Sequence, residues 1–573
     1  MSSIIKRLEI PAEQGGSRIL DSPDLRSTPP DKRTWNKAFF SLFWLSAVTN
    51  VSNWSAAASF LALGVTPWEG LGCSCAGFAI VSLWMIACGR PGAKWSISFP
   101  VCCRSSFGVF GAAWPAFNRA FMSITWESVK YADVHAVPKK ITSLTPDPRS
   151  AVSGAQALYI VLHSIFPSFS RIPKNTMGSN SALTSAQMIC FFLFLGLNAS
   201  MLSLGVHKWH RIVYAKLVVF AISTAGMLAL VITKAGGDVG SVLTAPSKIH
   251  GSERAWLLVR MIFTSAASCS TFASNASDWQ RNATHPNDPI IGQLLGFPLS
   301  NLFVNAMGLI SASCSEVIYG EVIWLPTAFL SRLLDDNYDA KHRAAAFFIA
   351  CGFVYSLLFS CLVENIYPCG NDLAALLPRF ISVKRGFYIC IAASCLLNPW
   401  YLLGSASIFI TVLSSYQIFL FSICGIIMTD YFLVSKGFFI YEDLYTRRKD
   451  GAYWYSYGCN WRAFAAYFVG VGVNFAGFLQ NLGVFTNERL AHSYYFAIFS
   501  TTFSAGATYW VLARLFPQPN ARETWSEPKG IWVPPECEPG VVQVDGEDTA
   551  SEDKEKEDGS ADVVEAPRYE LRG

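Results

Sequence analysis

The chain has 573 residues, of which 52% are hydrophobic and only 15% charged, with a formal net charge of +4. A soluble globular domain carries roughly a quarter charged residues, so the composition excludes an ordinary soluble enzyme and indicates a polytopic membrane protein. The small net charge averages a basic N-terminal tail with an acidic C-terminal one and implies no nucleic-acid partner.

Residues 1–34 are polar and charged with no apolar signal segment, and read as a disordered cytosolic tail. A transporter domain then fills residues 35–515. Apolar runs at 38–63, 70–88, 186–206, 212–233, 255–276, 291–318, 343–367, 463–480 and 492–515 are each one spanning helix by length. The run 386–434 is about twice that length and is divided by Asn398-Pro399-Trp400.

One further span is split. Trp114–Trp126 and Gly154–Pro167 are apolar but individually too short, and a polar insertion, 127–153, lies between them within helix 3. Joined, they make one span, for a total of twelve. The insertion is either an excursion into solvent or a segment that the working protein lacks.

An even number of spans puts both tails on one side, and the excess of Lys and Arg in the loops on that side makes it the cytosol. The Pro- and acid-rich residues 516–573 read as a second disordered tail. Its Lys554 and Lys556, with the lysines of the N-terminal tail, are candidate targets for ubiquitination machinery. The sixteen cysteines are scattered without a Cys-x-x-Cys frame and read as buried packing thiols, not metal ligands. No Gly-x-Ser-x-Gly elbow, phosphate loop or His-Glu-x-x-His occurs. No enzyme, cofactor or metal is expected.

The organising stretch is the end of span 6, where Ser265, Ser268, Ser270, Thr271, Ser274, Asn275 and Ser277 crowd into an apolar run. An unsatisfied polar group in hydrocarbon costs several kcal/mol, so these side chains face a cavity or other helices. Interrupted helices of this kind line the substrate sites of secondary transporters. Thr49-Asn50-Val51-Ser52-Asn53-Trp54 in span 1 shares a hydroxyl-Asn-x-Ser-Asx-Trp pattern with Ser274-Asn275-Ala276-Ser277-Asp278-Trp279, as a five-plus-five inverted repeat requires. Lys216, Glu364 and Asp372 are ionisable groups in or beside spans and therefore coupling candidates. Lys216 is also near enough to a helix end to snorkel.

Several ordered motifs resemble the nucleobase-cation-symport-1 family, in particular its fungal uracil and allantoin permease branch. They include Gly89-Arg90-Pro91-Gly92, Phe99-Pro100-Val101, Arg104-Ser105-Ser106-Phe107-Gly108, Ser274-Asn275 with Ser277-Asp278-Trp279, Gly370-Asn371-Asp372-Leu373 and Asp430-Tyr431. The resemblance implies an all-α polytopic membrane protein of twelve transmembrane helices, ten of them in a LeuT-like 5+5 inverted repeat. It further implies proton-coupled uptake, with the proton rather than sodium as coupling ion, of uracil or a related nucleobase or allantoin-like heterocycle across the plasma membrane.

The same resemblance points to Trp126, Asn50, Ser274, Asn275, Cys361 and Asn365 as substrate contacts, and to Ser414, Ser415 and Tyr416 as a gate. The family motif Trp-x-Gly-x-Gln is matched at Trp126, but Ser128 and Lys130 stand at its Gly and Gln, and Cys361 stands where an Asn is common. The alternatives are a thiamine or nicotinamide riboside carrier of the same family, or a nutrient receptor that binds without transporting.

Overall fold

The computed structural model describes residues 9–10, 17, 19–54, 60, 63–132, 154–171, 176–177, 181, 183, 184–203, 209–398 and 415–537. Among them the regular structure is helical, and pairing of extended backbone is limited to isolated bridges such as Trp35 with Ala283.

Span 1 is interrupted. Helix α1 (Lys37–Ala47) is capped by Asn36, which accepts from the Phe39 amide at 2.9 Å; the chain leaves helical geometry at Val48 and resumes as α2 (Val51–Trp54). Helix α3 (Pro67–Trp95) starts at a reciprocal Thr66–Glu69 capping box with Pro67 at its first position. A short α4 (Phe99–Phe107) ends at Gly108, φ +92°, where a Cβ would lie 2.6 Å from the Gly458 carbonyl oxygen.

The expected break after Trp126 comes later. Helix α5 (Ala113–Ala132) carries on through Glu127 and Ser128, both buried, and Ser128 Oγ donates to Ser394 O at 2.8 Å. Residues 133–153 of the insertion lie outside the described residues, and α6 (Gly154–Ile165) follows them.

The chain continues with α7 (Ser185–Met201), α8 (Trp209–Lys234) and α9 (Gly251–Ser268). Span 6 then breaks twice, at Cys269 and at Asn275, into α10 (Ser270–Ser274) and α11 (Ala276–Gln280). Next come α12 (Asp288–Ile291), a π-helical turn, α13 (Phe297–Tyr319) and a short α14 (Pro326–Asp336).

Span 8 comprises α15 (Ala340–Ser360), a π-helical turn over Cys361–Ile366 and α16 (Tyr367–Leu376). Pro368 has no N–H to close the preceding turn, which widens. Helix α17 (Val383–Leu396) ends before Asn398, φ +50°, at the predicted divider; Pro399 to Ser414 are outside the described residues. Then follow α18 (Gln417–Thr429), α19 (Trp461–Asn481), α20 (Glu488–Tyr495) and α21 (Ala497–Leu515), the last two bent by 70°.

Among the described residues six helices are long and apolar enough to cross a membrane, seven if the bent pair is counted as one span. Of the other predicted spans, 1, 3 and 6 are in pieces, span 4 is a single helix of 17 residues, and span 9 runs on into residues outside the described ones. Helix α6 packs along α15 while α5 packs along α16 and α17. The two pieces of span 3 thus follow successive halves of span 8. At the centre, Trp44 of span 1, Phe272 and Trp279 of span 6 and Phe297 of span 7 pack ring on ring, with centroids 5.4–6.2 Å apart.

Both tail segments are partly ordered. Leu20 and Leu25 sit in an apolar cluster with Trp95, Tyr441 and Tyr445. Arg26 pairs with Asp21 at 2.6 Å, and Arg281 donates to Arg26 O at 2.6 Å and Thr28 Oγ1 at 2.9 Å. At the other end Glu527 binds Arg90 at 2.7 Å, Lys94 donates to Gly530 O at 2.8 Å, and Arg33 donates to Trp532 O at 2.7 Å. Residues 19–34 and 517–532, which composition places in disordered tails, are held by a few aromatic anchors and by backbone carbonyls that accept from buried cations. The Arg33–Trp532 bond sets both tails on one face, as an even number of spans requires. Beyond Trp532 the described residues end in a 3-10 turn at Pro535–Cys537.

Candidate substrate site at the helix breaks

The predicted site residues gather where spans 1, 3, 6 and 8 are interrupted. On α5, half-buried Trp126 lies beside Met122 and Leu420 together with Tyr416, whose hydroxyl donates to Asn118 Oδ1 at 2.6 Å. Next to Trp126, Glu127 accepts from Asn365 Nδ2 at 2.9 Å. A buried carboxylate on span 3 is thereby joined to the π turn of span 8. Glu127 is a site neighbour that the sequence hides, because it opens the polar insertion.

At the break of span 1, Asn50 Nδ2 donates to Ser360 Oγ at 3.3 Å, while Asn50 Oδ1 accepts from the Asn53 amide at 3.0 Å. Ser356 Oγ donates to Thr49 O at 2.7 Å. Lys216, fully buried in α8, points its ammonium at the same place and donates to Ser46 O at 2.6 Å and Ser360 Oγ at 3.1 Å. It does not snorkel. A cation there meets the carbonyl end of α1, where the helix dipole is negative.

Span 6 contributes differently from expectation. With its amide oriented to satisfy both ends, Asn275 accepts from Arg119 Nε at 3.1 Å and from Arg119 Nη2, and donates to Thr271 O. Ser274 Oγ donates back to Thr271 O at 3.0 Å. Asp278 accepts from the Phe99 amide at 3.0 Å, and Arg281 donates to Asp24 O of the N-terminal segment at 3.2 Å. Cys361, fully buried, begins the π turn within an apolar cluster that includes Trp54 and Phe353.

Of the gate residues, Ser414 lies outside the described residues. Ser415 faces spans 11 and 12, accepting from Asn481 Nδ2 at its hydroxyl and from Tyr494 Oη, 2.9 Å, at its carbonyl. Tyr416 packs against the same Met122–Leu420 pair as Trp126. Glu364 is buried in the π turn, and Asp372 is fully buried in α16 with neither carboxylate oxygen hydrogen-bonded among the described residues.

The profile of the family described as "Permease for cytosine/purines, uracil, thiamine, allantoin" matches residues 27–140 and 149–499. The chain belongs to this family. Among its relatives is the uridine permease of Saccharomyces cerevisiae, 32% identical over 505 residues that cover 87% of this chain and 76% of the relative. The uracil permease of the same yeast is 30% identical, covering 88% of this chain and 78% of that one. Mhp1, a nucleobase-cation-symport-1 family transporter solved in a closed conformation with bromovinylhydantoin bound, superposes with a TM-score of 0.66. That match is 18% identical over 88% of this chain and 97% of Mhp1, and bears on the fold alone.

This nucleobase-cation-symport-1 permease is therefore a polytopic membrane transporter and not an enzyme. The gap in the family match, residues 141–148, falls inside the polar insertion. Beyond the insertion stands Gly154-Ala155-Gln156, with the Gly-x-Gln spacing that Ser128 and Lys130 fail to supply. Gln156 is buried and accepts from Thr327 Oγ1 at 3.2 Å, on the face of the fold formed by α14.

Proposed function

We propose that the permease takes up uracil or a closely related heterocycle across the plasma membrane, coupled to protons, with both termini in the cytosol. The observation that carries the coupling is Lys216. Broken helix ends with exposed carbonyls are where secondary transporters coordinate a driving cation, and here a tethered ammonium occupies the end of α1 and the Ser360 hydroxyl. A resident positive charge repels sodium and leaves the proton as driving ion, handled by Lys216, Glu364 and Asp372.

The substrate class is supported by the uridine, uracil and allantoin permeases among the relatives. Trp126 and Tyr416 offer aromatic faces for a planar ring, and the Glu127–Asn365 pair offers an acceptor and an amide to its edge. Asn50, Ser274, Asn275 and Cys361 complete the wall. A buried polar group left unpaired by the wrong ring then provides discrimination. Ser414 to Tyr416 act as the moving gate, and tail lysines including Lys554 and Lys556 take ubiquitin.

The divided span 3 favours a second reading, a receptor that binds without transporting. Deleting residues 128–153 joins Trp126-Glu127 to Gly154-Ala155-Gln156 and restores Trp-x-Gly-x-Gln. Uptake of labelled uracil by permease-deficient cells, with the given chain and this deletion side by side, tests both readings. Saturable uptake abolished by a protonophore is expected from the deletion form at least. Binding by the given chain with no accumulation in either form would establish the receptor, and no binding of uracil by either would overturn the substrate assignment.

A further inference from the structure

Arg119 is fully buried at the centre of α5, and two fully buried carboxylates face it: Asp278 from α11 and Asp372 from α16. Its hydrogen bonds go to neither. The guanidinium donates to Ser123 Oγ and to Asn275, while Asp372 has both oxygens unpartnered and Asp278 has one, among the described residues. Taking a charge out of water is expensive unless it is paired. A fold that seats the nearest cation on a neutral amide, beside one carboxyl group with no hydrogen bond and another with a single oxygen satisfied among the described residues, keeps a second arrangement in reserve.

The two arrangements involve different moving parts. Helix α11, with Asp278 and Asn275 at its start, packs on α3; α5 and α16, with Arg119 and Asp372, pack on each other. Alternating access in this class of fold is a rocking of one such group against the other. The Arg119–Asn275 bond spans that boundary at the second break of span 6.

We infer that Arg119 is a partner-exchanging cation: it holds Asn275 while the Asp278–Asp372 pair is protonated, and crosses to the pair when it releases a proton. Release of the proton toward the tail face then frees the break of span 6 from span 3, so opening follows proton loss. The other titratable groups around the cluster are Cys102 and Cys103 of α4, Tyr367 and Cys369 of α16, Cys390 of α17 and Arg281. Arg119 is a positioning residue in this scheme, acting on the substrate site through Asn275. The scheme rests on the proton-coupled uptake proposed above.

The test uses the transport-competent form in cells and the purified full chain in detergent. Asp372→Asn, nearly isosteric and unable to release a proton, is expected to lower net uptake and exchange of preloaded label together, about tenfold, and to flatten the dependence of uptake on external pH. Arg119→Gln is expected to lose both activities, and combining it with Asp372→Asn is expected to restore exchange. Net uptake and pH profile unchanged in Asp372→Asn, or exchange that persists at the parental rate while net uptake is lost, would overturn the inference. If the parent moves no uracil, the substrate reading fails separately and the readout becomes melting temperature between about pH 5 and about pH 8. A pH-dependent shift in the parent that Asp372→Asn removes supports the exchange, and a shift that survives it, or none in the parent, refutes it.

Discussion

Single side chains at the helix breaks carry the most specific expectations. The Lys216 ammonium makes a charge-assisted bond to Ser46 O, worth about 1.5–3 kcal/mol, at the carbonyl end of α1. Lys216→Gln should reduce proton-driven uptake about tenfold or more at unchanged surface expression, and added sodium should not restore it. Trp126→Phe should retain uptake with little change in KM, whereas Trp126→Ala should raise KM about tenfold, both read from concentration-dependent uptake. Lys216 was legible in the sequence because an ionisable residue inside an apolar run is conspicuous. Arg119 was not, because it sits in a half-span already judged too short, and Glu127 was not, because it heads a run of polar residues. Both become visible only when helices distant in sequence bring Asn275 and Asn365 to them.

Among whole elements, hydropathy identified where spans lie but not how they are jointed. The hydroxyl- and amide-rich stretches foretold breaks near Asn50 and Asn275, since such side chains compete for backbone groups. The π turn over Cys361–Ile366 carries no comparable signal, and the extension of α5 to Ala132 ran against the charge pattern. Contact between elements is tightest where glycine lets backbones meet. A Cβ on Gly308 would lie 1.9 Å from the Trp54 carbonyl oxygen, so α13 rests directly on α2. Gly308→Ala should therefore destabilise the protein by about 1–3 kcal/mol, seen as a lower melting temperature in detergent. Gly72→Ala, where a Cβ would have no heavy atom within 4 Å, should not lower it.

At the scale of the whole molecule, the two terminal segments tie together elements that are far apart in the sequence. Residues 517–532 link the end of α3, through Arg90 and Lys94, to Tyr431 of span 10 and to Arg33. Burial pushes the Glu527 carboxyl up, but hydrogen bonds from Arg90 and Tyr431 and the nearby charges of Arg90 and Lys94 outweigh it and hold it below its ordinary value of 4.5. A depressed carboxyl stabilises the fold above its unfolded pKa, and the contribution is lost as pH falls through the folded one. The melting-temperature difference between the parent and Glu527→Gln should thus be full at neutral pH and shrink below about pH 4. Composition alone missed this clamp, because it weighs side chains and not the carbonyls that accept from Arg33, Lys94 and Arg281.

The buried charge on α5 also bears on how the protein is made. A ribosome adds roughly 5–20 residues per second, and Asp372 follows Arg119 by roughly 250 residues, so roughly 10–50 seconds separate the synthesis of the two. The first acidic neighbour, Asp278, is made only about 160 residues after Arg119 and the second only at the end of that interval, so the nascent α5 carries a guanidinium that long lacks one or both of them, and its own apolar length is marginal for insertion. Span 3 is therefore a segment that lipid alone would not retain at the translocon. It is fixed in place late, by the arrival of spans 6 and 8, and folding defects anywhere in those later spans should surface as an unstable N-terminal half.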